Sequence, residues 1–298
     1  MMIRYTKIRI VYFIFSAILL AASISVLVVF GLKPGIDFTG GSILELQYLG
    51  DRPLNQDIVK ALEGIDLGQI MVQSAGDKGA ILRMKDISDN IHEDILARLG
   101  KGEGRIEEVR FETIGPTIGR ELRSKTKIVA VVALFAMFAY IVLAFRRVQR
   151  PLRSWQYGVS TIITLAHDII IPLGVFAVLG RYYNVEISIP VIAALLTVLG
   201  YSINNTIVVF DRIRENLFKG GESFEEIVDR SLNQTLARQI NTSLTVLLTL
   251  TALYVFGGET LKYFVLALIL GTVVGTYSSF FLSAHLLVSW YRLRHPVK

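Results

Sequence analysis

The chain has 298 residues, 52% hydrophobic and 19% charged, with a mean hydropathy of +0.52, which excludes an ordinary soluble domain and points to a membrane protein. A net charge of +6 and a pI of about 9.4 would suggest nucleic acid for a soluble chain; in a membrane chain they raise the question of which side of the bilayer holds the Lys and Arg. With no cysteine, disulfides, thiolate metal sites and thiol nucleophiles are excluded.

The first apolar run, residues 8–32, is far longer than the apolar core of a signal peptide and no small-residue cleavage site follows it, so it reads as a retained transmembrane helix. It ends in GLKPGIDFTGG, Gly31 to Gly41. That stretch lacks the Lys-Ser/Thr that would close a phosphate loop, and no G-x-G-x-x-G opens a helix after a strand in the soluble portion. Its glycines, Gly35, Gly40 and Gly41, are expected to supply turn conformations between a helix end and a strand, with Pro34 stopping the helix and Asp37 anchoring the turn.

Residues 33–127 hold no spanning run and make room for a small extracytoplasmic domain. SILELQYL (42–49) predicts a strand, LNQDIVKALEGI (54–65) an amphipathic helix, 69–74 and 80–85 two strands, and 88–99 a second helix. RIEEVRFETI (105–114) closes the series as a strand with Ile106, Val109 and Phe111 on its apolar side. The order is βαββαβ, a ferredoxin-like α+β pattern that carries no function by itself.

Five further spans follow at about 128–145, 157–179, 187–210, 240–256 and 263–289, making six transmembrane helices. Three Lys or Arg lie at the start of the chain up to the first turn of the first span (Arg4, Lys7, Arg9), four lie in RRVQRPLR (146–153), five between 211 and 239, and three after Trp290. All fifteen fall on one side if the helices alternate, whereas the opposite short loops hold Arg181 and Lys262. The positive-inside rule therefore places both termini in the cytoplasm, the tail 292–298 included, and the 33–127 domain outside.

Polar residues within the spans are the functional candidates. Asp168 sits in the middle of the 157–179 helix, where a charged side chain costs about 3 kcal/mol on insertion scales. It is either a protonated or hydrogen-bonded structural residue or a participant in proton or ion movement. His167 points about 100° away around the helix and is expected to make its own contact. Tyr201, Asn204, Asn205 and Val208 share one helical side in GYSINNTIVVFDRIREN, where the amides either bridge helices or line a transport path. Asp211, Arg212 and Arg214 are expected to form a solvated cytoplasmic helix end. Arg238, before the polar start of the fifth span, either snorkels to the interface or faces a bundle interior with Asp168, Asn204 and Asn205. Gly271 and Gly275 form G-x-x-x-G, expected to let two helices approach closely.

GIDFTGG, IGPTIGREL (114–122), AHD (166–168), GYSINNTIVVFDRIREN, the Arg238 to Ser243 segment and FGG (256–258) occur in the order and topology of the SecD/SecF family of protein-export membrane subunits, and the chain resembles the SecF members of that family over nearly its whole length. The resemblance implies a SecD partner in a twelve-helix unit of the RND superfamily at the SecYEG channel of the cytoplasmic membrane, with YidC and YajC as further candidate partners. It implies that proton-motive force helps draw out preproteins that SecA has pushed into the channel. No enzyme activity, cofactor, metal or nucleic acid is expected. Family members commonly read Asn-Asp where this chain has Asn204-Asn205, and asparagine cannot titrate. The resemblance thus leaves Asp168 and Arg238 as candidates for the proton relay, with Asn204 and Asn205 as polar contacts beside it. Two rivals remain: a non-conducting scaffold for SecD and the channel, and a stand-alone RND-type transporter of lipids or small molecules, which would need a homodimer.

Overall fold

The computed structural model describes residues 3–100, 106–146 and 151–295. Arg105, Arg147 and Arg150 of the expected strand and basic segment, and residues 296–298 of the expected tail, lie outside the described residues. The chain divides into two compact units, one formed by the residues up to Lys33 and from Val129 onward, the other by Pro34–Ile128.

A single 3-10 turn, Tyr5–Ile8, leads into α1 (Arg9–Phe30), whose 22 residues span roughly 33 Å at 1.5 Å per residue, enough for the hydrocarbon core. The GIDFTGG stretch then folds as one helical turn, α2 (Ile36–Thr39), closed by the Gly40 amide donating to the Ile36 carbonyl at 2.8 Å. From there the second unit runs β1 (Gly41–Tyr48), α3 (Asn55–Ala61), β2 (Met71–Ala75), β3 (Gly79–Met84), α4 (Asp89–Leu99) and β4 (Ile106–Ile114). The sheet order is β2-β3-β1-β4 with every pair antiparallel, the split βαβ arrangement expected from the sequence. Leu44, Leu46 and Tyr48 alternate along β1 to face a core with Ile58, Leu62, Leu82 and Ile95.

Two expectations change. The first helix is seven residues long rather than spanning 54–65, because Leu62 to Ile65 leave the helix through tight turns that end with Gly64 at φ +87°. Val109 is 57% exposed and does not join Ile106 and Phe111. The pairing of β1 with β4 shifts between Glu45↔Arg110 and Leu46↔Glu108, leaving Val109 as the extra residue of a bulge. Ile106 and Phe111 are five apart and would point to opposite faces of a regular strand; the bulge brings both onto the core side.

The first unit resumes at Val129 within α5 (Pro116–Ala144) and continues with α6 (Ser154–Tyr183), α7 (Ile189–Lys219), α8 (Phe224–Phe256), α9 (Glu259–Tyr277), a π-helical turn Ser278–Leu282, and α10 (Ser283–Arg294). Among the described residues six helical stretches are long and apolar enough to cross a membrane, counting α9 through α10 as one. The last span is thus interrupted by the π-turn, which adds a residue to one helical turn. The expected spans 187–210 and 240–256 extend into α7 and α8 well beyond the apolar runs, because an inward stripe continues through Ile213 and Asn216 on α7 and Phe224, Ile227, Val228 and Leu232 on α8. Ser223 caps α8, its Oγ accepting from the Glu226 amide at 3.3 Å while Glu226 Oε2 accepts from the Ser223 amide at 3.1 Å. Phe145, Tyr157 and Phe210 form the aromatic centre of this end, Phe145 stacking on Tyr157 at 5.2 Å and Phe210 meeting both edge-on.

Asp229 fastens the N-terminal segment to α8: buried, it accepts from the Thr6 amide at 2.9 Å and Thr6 Oγ1 at 2.8 Å. Asp229→Ala removes both bonds and strands the Thr6 donors, so a loss on the order of 3 kcal/mol is expected. It should be read as a lower thermal midpoint in detergent with faster tryptic cleavage at Arg4 and Lys7; an unchanged midpoint would refute the clamp.

Candidate functional site: a buried carboxylate in the helix bundle

α6 places Asp168 in the bundle interior with no exposed surface. Its Oδ2 accepts from Ser202 Oγ of α7 at 2.5 Å, and Oδ1 lies 3.1 Å from His167 Nδ1. The expectation that His167 contacts something independent is therefore corrected. Two buried side chains about 100° apart on one helix can still meet sideways when the longer one folds across, and the imidazole does so. Space for the carboxylate comes from α9: a Cβ on Gly275 would stand 3.6 Å from Asp168 Oδ2 and 3.1 Å from Ser202 Cβ. One turn away, a Cβ on Gly271 would lie 2.5 Å from both Val198 methyls. The G-x-x-x-G face of α9 is packed against the Val198–Ser202 face of α7, which is what gives the carboxylate three close walls.

A signal the sequence reading passed over is Pro172, buried inside α6 four residues after Asp168. Proline has no amide hydrogen, so the Asp168 carbonyl loses its i+4 donor. Side chain and main chain of this residue therefore both present acceptor oxygens within the span.

Asn205 is 3% exposed while Asn204 is exposed; the side that the spacing assigned to both is split, one amide inward and one outward. The Asn205 carbonyl accepts from Gln239 Nε2 at 3.1 Å, and among the described residues its own Nδ2 has no partner. Arg238 is exposed on α8 and is not brought to Asp168; the buried residue of that turn is its neighbour Gln239. The polar start of the fifth span has another use: Tyr201 donates to Ser243 at 2.8 Å and Ser243 Oγ lies 2.8 Å from Thr276 Oγ1, a hydroxyl chain joining α7, α8 and α9. Asp211 and Arg214, and Arg212 and Glu215, form ion pairs along the exposed end of α7, and the Arg214 guanidinium lies 5.7 Å from the centre of the Phe145 ring. Gly35 is buried and Asp37 half-buried in α2.

Several buried polar atoms on the N-terminal half of α6 and on the facing α7 lack partners among the described residues: Gln156 Nε2, Tyr157 OH, Ser160 Oγ, His167 Nε2 and Thr206 Oγ1. Each buried group left unsatisfied costs about 1–3 kcal/mol, so this concentration in one region demands an explanation.

The family profile described as "Protein export membrane protein SecD/SecF, C-terminal" matches residues 94–293, and the one described as "SecD/SecF GG Motif" matches residues 25–48. The chain belongs to the SecD/SecF family. Its SecF relatives include the protein translocase subunit SecF of Thermobaculum terrenum, 42% identical over 97% of this chain and 94% of that protein, and that of Vibrio alginolyticus, 37% identical over 95% and 87%. The crystal structure of SecDF from Thermus thermophilus, described as a translocon-associated membrane protein, superposes with a TM-score of 0.84 at 34% identity. That match takes in 97% of this chain and 39% of the SecDF chain, so a SecF-sized part of a longer polypeptide is what is reproduced. As a SecF-family chain, this is a multi-pass membrane protein of protein export.

Proposed function

We propose that this chain serves as an accessory subunit of the Sec translocase that pairs with a SecD-type subunit, and that its bundle takes part in proton-driven export through Asp168. The observation that carries the reading is the carboxylate itself: fully buried, in contact with Ser202 and His167, and without a Lys or Arg among its described partners. Such a group at bilayer depth is costly and marks a functional site; the Ser202 hydroxyl stabilises the ionised form by donating to it, and a protonated form has an O–H of its own to donate. Arg238, exposed at the side of α8, is available to a carboxylate of the partner subunit, and Asn204 presents an outward amide to the same partner. On this reading both termini are cytoplasmic and the 34–128 unit lies outside, in a cytoplasmic membrane, where SecYEG and preprotein would be met.

The test is export of a secretory preprotein into inverted membrane vesicles energised by a proton gradient. Asp168→Asn is nearly isosteric and should reduce the proton-dependent component at least tenfold while SecD co-purification is kept. Arg238→Ala should reduce it comparably. Full proton-dependent export in both variants would replace the motor reading by a scaffold, which Asn205, a buried residue that cannot carry a proton, would then favour.

A further inference from the structure

Gln156, Ser160, Thr164 and Asp168 are spaced four apart on α6, so each neighbours the next in a stripe that winds about 120° around the helix, and every one of them has no exposed surface. Opposite them on the antiparallel α7, Ser202 bonds Asp168 and Thr206, one turn further on, is also fully buried. The stripe covers about 18 Å from Gln156 to Asp168 at 1.5 Å per residue, more than half of a hydrocarbon core of about 30 Å.

Hydroxyls in membrane helices ordinarily satisfy themselves by bonding the carbonyl one turn back. Thr161 and Thr164 do so at 2.9 and 2.8 Å, and so do Ser278, Ser279 and Ser283 in the last span. Ser160 and Thr206 do not; their hydroxyls, the Gln156 amide nitrogen and His167 Nε2 are buried without a partner among the described residues. Gln156 turns its other atom to the chain end, Oε1 accepting from the Arg153 amide at 2.9 Å. Unpaired polar atoms thus stand at Gln156 and Ser160 toward the N-terminal end of α6, at Thr206 across from the self-bonded Thr164, and at His167 beside the carboxylate, where Pro172 leaves the Asp168 carbonyl open as well. Buried polar groups in such a series are completed by ordered water.

We propose that the α6 stripe Gln156–Ser160–Thr164–Asp168, closed by Ser202 and Thr206 of α7, holds a file of water that connects Asp168 to the aqueous phase at the N-terminal end of α6, and that this file is the subunit's own route for protons to its carboxylate. An excess proton entering at Gln156 is handed from water to water, each oxygen giving up one O–H proton as it accepts another, and it ends on a carboxylate oxygen of Asp168, which becomes neutral. The direction, toward the cytoplasm, and the proton cargo rest on the function proposed above; the hydration does not.

Since the chain has no cysteine, each single substitution carries one thiol, and only a hydrated thiol ionises and reacts. In native membrane vesicles, Ser160→Cys and Thr164→Cys are expected to react with a small charged methanethiosulfonate reagent at least tenfold faster than Leu165→Cys, which is as fully buried but belongs to the apolar cluster. Adding Ser160→Val, one turn nearer the mouth, should slow the labelling of Thr164→Cys at least tenfold. Equal rates at the three positions would overturn the water file, whether because all are dry or because the bundle is loose. Labelling from the extracytoplasmic side alone would overturn its direction. In energised vesicles Ser160→Val should slow proton-dependent export at least fivefold and have no added effect on Asp168→Asn. A labelling contrast without that export defect would overturn the proton role, and an export defect in Asp168→Asn without the contrast would overturn the file while sparing the proposed function.

Discussion

Gly41→Ala is expected to destabilise the 34–128 unit by on the order of 3 kcal/mol, a large share of what a small domain possesses. Gly41 has φ +136°, and a Cβ there would stand 2.7 Å from the Met84 carbonyl oxygen. That oxygen cannot retreat cheaply, since Met84 pairs with Ser42 in the β1–β3 ladder. Gly40 is constrained by a different wall: φ +77°, and a Cβ 2.8 Å from Pro116 Cα. The approach is mutual, because a Cβ on Gly119 would lie 2.9 Å from the Gly40 amide nitrogen. GIDFTGG and IGPTIGREL, more than 70 residues apart, are therefore two halves of one packed junction. Gly76→Ala provides the control, with φ +64° and nothing within 4 Å, and should cost only about 1 kcal/mol of backbone strain. Hydrogen exchange of β1 amides in the full-length protein measures the difference; equal protection in the two variants would show that the contact with Met84 contributes nothing.

What the sequence made legible follows from how each signal is encoded. Spans, basic loops and the βαββαβ order are written in composition and period, which survive without knowing any partner. The bulge at Val109 is not, since the spacing of Ile106, Val109 and Phe111 fits neither face until the register with β1 is known. The spans around 210 and 240 looked shorter than α7 and α8 because hydropathy falls at Asp211 and Arg238 although the buried stripe continues past both. Asp168 was visible as a charge in an apolar run, and G-x-x-x-G as small residues at one-turn spacing. Their juxtaposition was hidden, because it needs Gly275 of α9 to lie across from Ser202 of α7. The split between Asn204 and Asn205 was hidden for a similar reason: a 100° step can fall either side of a helix boundary, and only the neighbours decide which amide goes inward. Pro172 was readable in principle, as a proline four residues after the intramembrane carboxylate.

That shared wall separates stability from function in the second large effect. Gly271→Ala gains about 1 kcal/mol of helix propensity, yet its Cβ would meet Val198 at 2.5 Å on both methyls and 2.9 Å at Cβ. Rotating the valine cannot relieve a contact with its Cβ, so α7 and α9 must part, and overpacking of this kind costs up to about 3 kcal/mol or more. A drop of several degrees in the thermal midpoint in detergent is expected, with recovery when Val198→Ala is added. At Gly275 the same substitution meets Ser202 Cβ at 3.1 Å and Asp168 Oδ2 at 3.6 Å, a tight contact that a few tenths of an ångström relieve and that the propensity gain largely offsets. The displaced atom, however, is the hydroxyl-bearing side chain that donates to Asp168 at 2.5 Å. Gly275→Ala should therefore keep its midpoint within about 1 kcal/mol of the parent while lowering proton-dependent export severalfold, whereas Gly271→Ala with Val198→Ala should restore both. If export followed the thermal midpoint in all three variants, the G-x-x-x-G face would be packing alone and the carboxylate would owe nothing to the glycine beside it.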